Sequence, residues 1–326
     1  MSVDDDRVGR RAILRGGVAA ILAWTGAASA QSTGALPRFG YVQSTASPVA
    51  AGQREALLSG LREYGWIDGQ NLIVDVRNND DQIRELVRLN VNVLLLPNPY
   101  RIDIGLALTR TIPIVTIDLE SDPVAKGYVK SLARPGGNIT GVWTDLPELA
   151  GKQLQLLKEA LPDLRRVTVL WDERVAGAQL AATEAAARTA GVAVHRAALR
   201  QPDEVDGAVR SAVAARSQAV LTLTSPIVLR AEPRLAELAM SHRLATMSGF
   251  TTFPAFGGLM AYGPDFLTLW RQVASYVDRI LRGAKPGDLP VERPAKFELR
   301  INSRTAKTLG LALPPSLLAR ADEIVQ

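Results

Sequence analysis

The sequence predicts an α/β fold of two Rossmann-like lobes joined by a hinge, and three features predict it. Short apolar, β-branched runs alternate with helical patterns along nearly the whole chain. Most runs leave through Ser, Thr, Asn or Asp, and a proline follows several of those exits. Such alternation builds parallel sheets with helices on both faces. Proline suits the first helical position, and an oxygen-bearing side chain just before it caps the first turn.

Residues 38–43 form a first strand with a polar exit at 44–47, and a helix follows from Pro48 to about Tyr64. Its Leu57, Leu58, Leu61 and Tyr64 share one face, and Gly65 ends it. Residues 72–76 alternate as an outer strand does, and a short helix covers 82–89. The continuous apolar run 91–96 reads as a central strand, leaving through Pro97, Asn98, Pro99 and Tyr100. A helix over 102–109 leads to a strand at 112–119, which ends in Glu120, Ser121 and Asp122. Asp122 before Pro123 predicts a further helix, stopped near Arg134 by Pro135, Gly136 and Gly137. Residues 138–143 make the next strand.

Beyond Trp143 the pattern starts again. Helices are expected over 147–161, 176–190, 203–215 and from Pro226 to His242, and strands over 166–170, 192–197, 219–223, 244–247 and 259–262. The chain should cross between lobes at 141–145 and return at 263–265. One lobe then comprises 38–142 with 265–288, including a helix over 266–282. The other comprises 143–264 with 289–326, including a last strand over 297–301.

At 326 residues the chain is long enough for two lobes, and its net charge of +5 makes it only mildly basic. No Lys/Arg run interleaved with aromatics occurs, so nucleic acid is not an expected partner. The absence of cysteine excludes disulfides, thiol catalysis and a lipidated amino-terminal cysteine. Residues 1–30 read as an export signal: Arg10 and Arg11 precede an apolar pair and Arg15, an uncharged stretch covers 16–27, and Ala28, Ser29 and Ala30 form a small-x-small cleavage pattern. The order fits the twin-arginine type and places the mature protein in the periplasm.

Enzymatic chemistry has little to work with. Only His195 and His242 are present, no nucleophile elbow or phosphate loop occurs, and no set of residues has metal-ligand spacing. Neither a catalytic residue, a metal nor a cofactor is expected. The polar strand exits remain. Ser44, Asn98, Ser121, Asp122, Thr144, Asp145, Asp172, Thr224 and Ser225 each serve as caps or turn residues individually. Together they gather at the carboxyl edges of the sheets, where open α/β folds hold ligands. Tyr41, Tyr100, Trp143, Trp171, Phe250 and Tyr262 lie at or near strand ends, able either to clamp an apolar group or to seal the hinge. Trp171 and Tyr262 complete the candidate ligand-binding set.

The segments SDPVAKG from Ser121, RPGGNITGV from Arg134, YGPDF from Tyr262 and RGAKPGDLPVERPAKFELRINSRTAKTLGLALPPSLLARADE from Arg282 resemble the ABC transporter substrate-binding proteins of the TrpX-like group. GLREYGWIDGQNL from Gly60 is similar to that group's first helix and turn. The resemblance implies a type I-like periplasmic binding protein that delivers a small solute to a membrane permease with its ATPase. It carries over Ser121 and Asp122, with Ser44 and Asn98, as pocket residues. Some members of the group bind amino acids, aromatic ones among them. The chain departs from the group after the second lobe's first strand, reading Trp171, Asp172 and Glu173 where many relatives have Asn-Pro. The expected function is a monomeric, non-enzymatic receptor that closes on a small polar or zwitterionic solute such as an amino acid. There, Asp122 or Asp172 would pair with an ammonium while a helix amino terminus takes the carboxylate. The alternative is a periplasmic sensor that reports the same ligand to a signalling receptor.

Overall fold

Five strands that each run through apolar, mostly β-branched or leucine residues assemble into one parallel sheet. The computed structural model describes residues 35–43, 48–118, 122–294 and 296–326, of which the span from Leu36 onward is one compact unit. The first lobe orders its elements as β1 (Arg38–Val42), α1 (Pro48–Glu63), β2 (Ile73–Arg77), α2 (Ile83–Arg88), β3 (Val93–Pro97), α3 (Pro99–Leu108), β4 (Ile114–Asp118) and β5 (Ile139–Trp143). The sheet order is β2-β1-β3-β4-β5, every pair parallel. β2 is therefore the outer strand and β3 the central one, as their patterns predict. Leu94, Leu95 and Leu96 are fully buried because a central strand has no solvent face.

The second lobe contains α4 (Leu146–Ala160), β6 (Arg166–Asp172), α5 (Gly177–Ala190), β7 (Ala193–Leu199), α6 (Val205–Ala214), β8 (Ala219–Thr222), α7 (Pro226–Ser241), β9 (Ala245–Ser248) and β10 (Met260–Pro264). After β10 comes α8 (Phe266–Leu281), then β11 (Phe297–Asn302), α9 (Ser303–Leu309), α10 (Pro315–Leu318) and β12 (Glu323–Val325). The second sheet runs β12-β11-β10-β9-β8-β6-β7; only β10 and β11 pair antiparallel. From β6 to β10 it repeats the order of the first sheet.

Although α8 follows a second-lobe strand, it packs on the first lobe. Its Leu269, Trp270, Val273, Tyr276 and Val277 share a core with Phe39, Tyr41, Leu57, Leu61, Val93 and Val115. Trp66 Nε1 donates to Asp278 Oδ1 at 2.9 Å, fastening the turn after α1 to the carboxyl end of α8. The chain stays with the first sheet through Glu292, whose amide donates to the Gly141 carbonyl and whose carbonyl accepts from the Trp143 amide. β11 then enters the second sheet.

Two expectations are corrected. No helix spans 123–134: Asp122 caps a single turn, its Oδ1 accepting from the Val124 and Ala125 amides, and Gly127 at φ +72° breaks the turn before a second one forms. Tyr64 does not share the buried face of α1 with Leu57 and Leu61 but is 41% exposed, because the helix ends at Glu63. Residues 1–30, with the expected export signal, lie outside the described residues. No described helix is long and apolar enough to cross a membrane.

Candidate functional site

In a doubly wound sheet, adjacent strands whose connections leave to opposite faces open a crevice at their carboxyl ends. The first sheet has this switch between β1 and β3, the second between β6 and β8. Tyr41, Pro97 and Asn98 stand at the first switch; Asp172, Thr224 and Ser225 stand at the second. Both sets line the same cleft, which consists of two cavities with Asn98 and Pro226 common to their walls.

The narrower cavity, about 70 Å³, is mainly apolar. Tyr41, Ile117, Phe266 and Trp270 come from first-lobe packing, and Leu229 and Phe250 enter with the second-lobe elements. Tyr41 meets Trp270 edge-on with ring centroids 5.5 Å apart, and Phe250 meets Phe266 at 5.0 Å. Gln53, Thr224 and Ser225 supply the polar edge. Burial raises the Tyr41 pKa against the opposing pull of Arg101 and Arg54, so its phenol stays neutral.

The wider cavity, about 810 Å³, is polar and charged. Arg101 stands there nearly buried, its Nε donating to Asp80 Oδ1 at 2.6 Å and its Nη1 to the Val42 carbonyl at 2.9 Å. Across the cleft, Asp172 is 1% exposed and accepts from the Arg174 amide at 3.0 Å and from its guanidinium at 3.3 and 3.4 Å. Arg230, one turn into α7, faces the same space. Its pKa is lowered by burial and then by the charges of Arg174 and Arg101, with Asp172 opposing.

The local sequence explains how these groups are held. Asn98 caps α3, its Oδ1 accepting from the Arg101 amide at 3.1 Å, and Pro99 fills the first helical position. Its φ of 81° is one that a residue with a side chain rarely adopts, a strain of the kind found where a fold holds a residue for a task. Ser225 caps α7 in the same way through the Val228 amide at 3.2 Å. Gln179, buried on the otherwise alanine-rich α5, brackets Thr224: its Nε2 donates to the Thr224 carbonyl and its Oε1 accepts from the Thr224 amide.

Of the predicted site residues, the structure therefore gathers Asn98, Asp172, Thr224 and Ser225 at the cleft. Ser44 and Ser121 lie outside the described residues. Asp122 spends its Oδ1 on its own turn, and Asp145 caps α4 through the Glu148 amide at 3.2 Å. Thr144 is buried at the crossover with no hydrogen-bond partner for its hydroxyl. Trp171 and Tyr262 pack against the second lobe's core, Tyr262 stacked on Phe297 at 6.2 Å. Neither cavity's described lining includes any of these five. Arg101, Arg174, Arg230, Gln53, Phe266 and Trp270 escape the sequence reading. Their only signal was position: each lies within about two turns of a cap or strand exit already singled out. Among the described residues no group of His, Cys, Asp and Glu could hold a metal ion.

Residues 44–325 match the family described as ABC transporter substrate binding protein. The chain belongs to that family. Its members bind solutes and are not enzymes. A relative in Clostridioides difficile (strain R20291), "Tyrosine-binding protein", is 22% identical over 267 residues, covering 79% of this chain and 76% of its own length. Among solved structures, a conserved domain protein from Vibrio cholerae is 27% identical, with a TM-score of 0.79 over 89% of this chain and all of its own. An ABC domain in complex with L-Trp from "Streptococcus pneumonia" is 23% identical at the same TM-score and the same two coverages. This substrate-binding family thus accounts for the two facing α/β lobes.

Proposed function

We propose that this substrate-binding protein closes on a small solute that joins a carboxylate to an apolar or aromatic body, the chemical class to which the aromatic amino acids belong. The observation that carries the reading is the union of the two cavities through Asn98 and Pro226: aromatic rings line one, guanidinium groups the other. An apolar body would lie against Tyr41, Phe250, Phe266 and Trp270, whose cavity of about 70 Å³ must widen to take a whole aromatic ring. A carboxylate then reaches the arginines and the positive dipole ends of α3 and α7. The tyrosine-binding relative and the L-Trp complex support the same class.

Delivery to a membrane permease with its ATPase follows from the family, and export to the periplasm through the paired arginines of residues 1–30 follows from the signal pattern. One chain supplies both walls of the cleft, so a monomer suffices. The lobes would move about the three connections after β5, after β10 and before β11. Isothermal titration of the mature chain, refolded to remove any carried ligand, against aromatic amino acids, aromatic carboxylates, sugars and polyamines tests the reading. Saturable heat is expected from the first two classes; binding confined to sugars or polyamines, or to none of the four, would remove it.

A further inference from the structure

The narrow cavity is apolar in its rings but not in the tips of three of its side chains. Tyr41, Gln53 and Thr224 all line it, and they are 1%, 9% and 3% exposed. Among the described residues, the Tyr41 hydroxyl, the Gln53 carboxamide and the Thr224 hydroxyl find no hydrogen-bond partner. Nor are they sealed into the protein, as the hydroxyls of Thr144 and Thr222 are, so they open on the space that their residues line. Their places are fixed by other contacts. The Tyr41 ring stands edge-on to Trp270, Gln53 lies in the second turn of α1, and Thr224 is held through its backbone by Gln179. Beside Thr224, Gly249 leaves room for the hydroxyl, because a Cβ there would collide with it.

A polar group shut away from water without a partner is costly, and a bare hydrocarbon ring filling the cavity would leave all three in that state. A ring hydroxyl would not. It can donate to one of them and accept from another, since a phenol, a carboxamide and an alcohol each offer a donor and an acceptor. We infer that Tyr41, Gln53 and Thr224 read a hydroxyl carried on the ligand's aromatic body, so that the site favours hydroxyphenyl solutes over the matching phenyl ones. This rests on the reading that the aromatic body of a carboxylate solute enters the narrow cavity, which widens to admit it. All three groups are neutral, the phenol because burial raises its pKa, so added salt should leave the preference intact.

Two matched pairs test it by titration calorimetry: L-tyrosine against L-phenylalanine, and 3-(4-hydroxyphenyl)propanoate against 3-phenylpropanoate. The expected result is at least about tenfold tighter binding of the hydroxylated member in whichever pair binds. Tyr41→Phe keeps the ring against Trp270, and Gln53→Met keeps the length of the side chain. Each should lower the ratio by about threefold or more, whereas a mere loss of packing would weaken both members alike and leave the ratio where it was. Equal or tighter binding of the phenyl members overturns the inference and assigns the three polar tips to water. A ratio that neither variant moves overturns it as well, and both results leave the proposed function standing. Failure of all four probes to bind removes the two together.

Discussion

Glu232 shows how a single side chain can make this fold sensitive to pH. Its carboxyl lies fully buried on α7, where the Ser248 hydroxyl donates to Oε1 and Oε2 has no partner. Burial pushes its pKa well above the ordinary carboxylate value, and the Ser248 hydrogen bond only partly opposes this. A carboxyl with a higher pKa folded than unfolded holds its proton longer in the native state. Its contribution to stability is complete below the unfolded pKa of about 4 and is lost as pH rises toward the folded value, at about 1.4 kcal/mol per pH unit. Glu232→Gln keeps an acceptor for Ser248 and removes the titration. The variant should match the parent in urea midpoint near pH 4 and exceed it increasingly toward pH 8. A parallel pair of stability curves would show that Glu232 does not titrate between those limits. The consequence reaches the site, since Ser248 also accepts from the Phe250 amide at 3.0 Å and Phe250 walls the narrow cavity.

Between elements, the closest approach that matters is that of α1 to α8. A Cβ placed on Gly60 would lie 2.8 Å from the Ala274 Cβ and 3.2 Å from the Arg271 carbonyl, so the two helices touch backbone to backbone there. Gly60→Val should cost about 1–3 kcal/mol through overpacking, read as a lower urea midpoint. It should also shift Trp270, four residues from Ala274 on the same helix. An unchanged midpoint would mean that α8 yields freely and does not set the first lobe's core. The sequence predicts that the helix after β10 returns to the first lobe, but its close pairing with α1 was legible only as two amphipathic helices, because nothing local says which of them will touch. The strands were more legible: the leucine run of β3 reads as central without any tertiary knowledge. The segment after β4 misled because Asp122 and Pro123 form a genuine cap, and a cap predicts where a helix starts but not that it continues past Gly127. The arginines of the site were illegible for a related reason. An arginine in a helical pattern reads as a solvated face, and only tertiary contacts turn it inward, as Asp80 and the Val42 carbonyl do for Arg101. Asn98, Thr224 and Ser225 were legible because a cap at a strand exit has one place to be in an α/β sheet.

For the molecule as a whole, closure must be driven by contacts that exist only when the lobes meet, since a ligand gripped equally in both arrangements shifts neither. The two cavities divide those contacts unevenly. Indole alone would engage only the aromatic cavity, widening it, and would leave Arg174 and Arg230 on the second lobe and Arg101 on the first unbridged. An indole bearing a carboxylate spans both cavities and links guanidinium groups from the two lobes through one anion. Moving an equilibrium from mostly open to mostly closed takes a preference of about 10⁴ between the states, which charge-assisted bonds from both sides can supply far more readily than ring contact. At saturation, small-angle scattering should therefore record a smaller radius of gyration with 3-(indol-3-yl)propanoate, and little change with indole, even where both perturb Trp270. Raising the salt should weaken the carboxylate's effect and spare that of indole, because screening acts on the arginines and not on the rings. Equal compaction by the two probes would assign closure to the aromatic wall and leave the arginines to hold the ligand without moving the lobes.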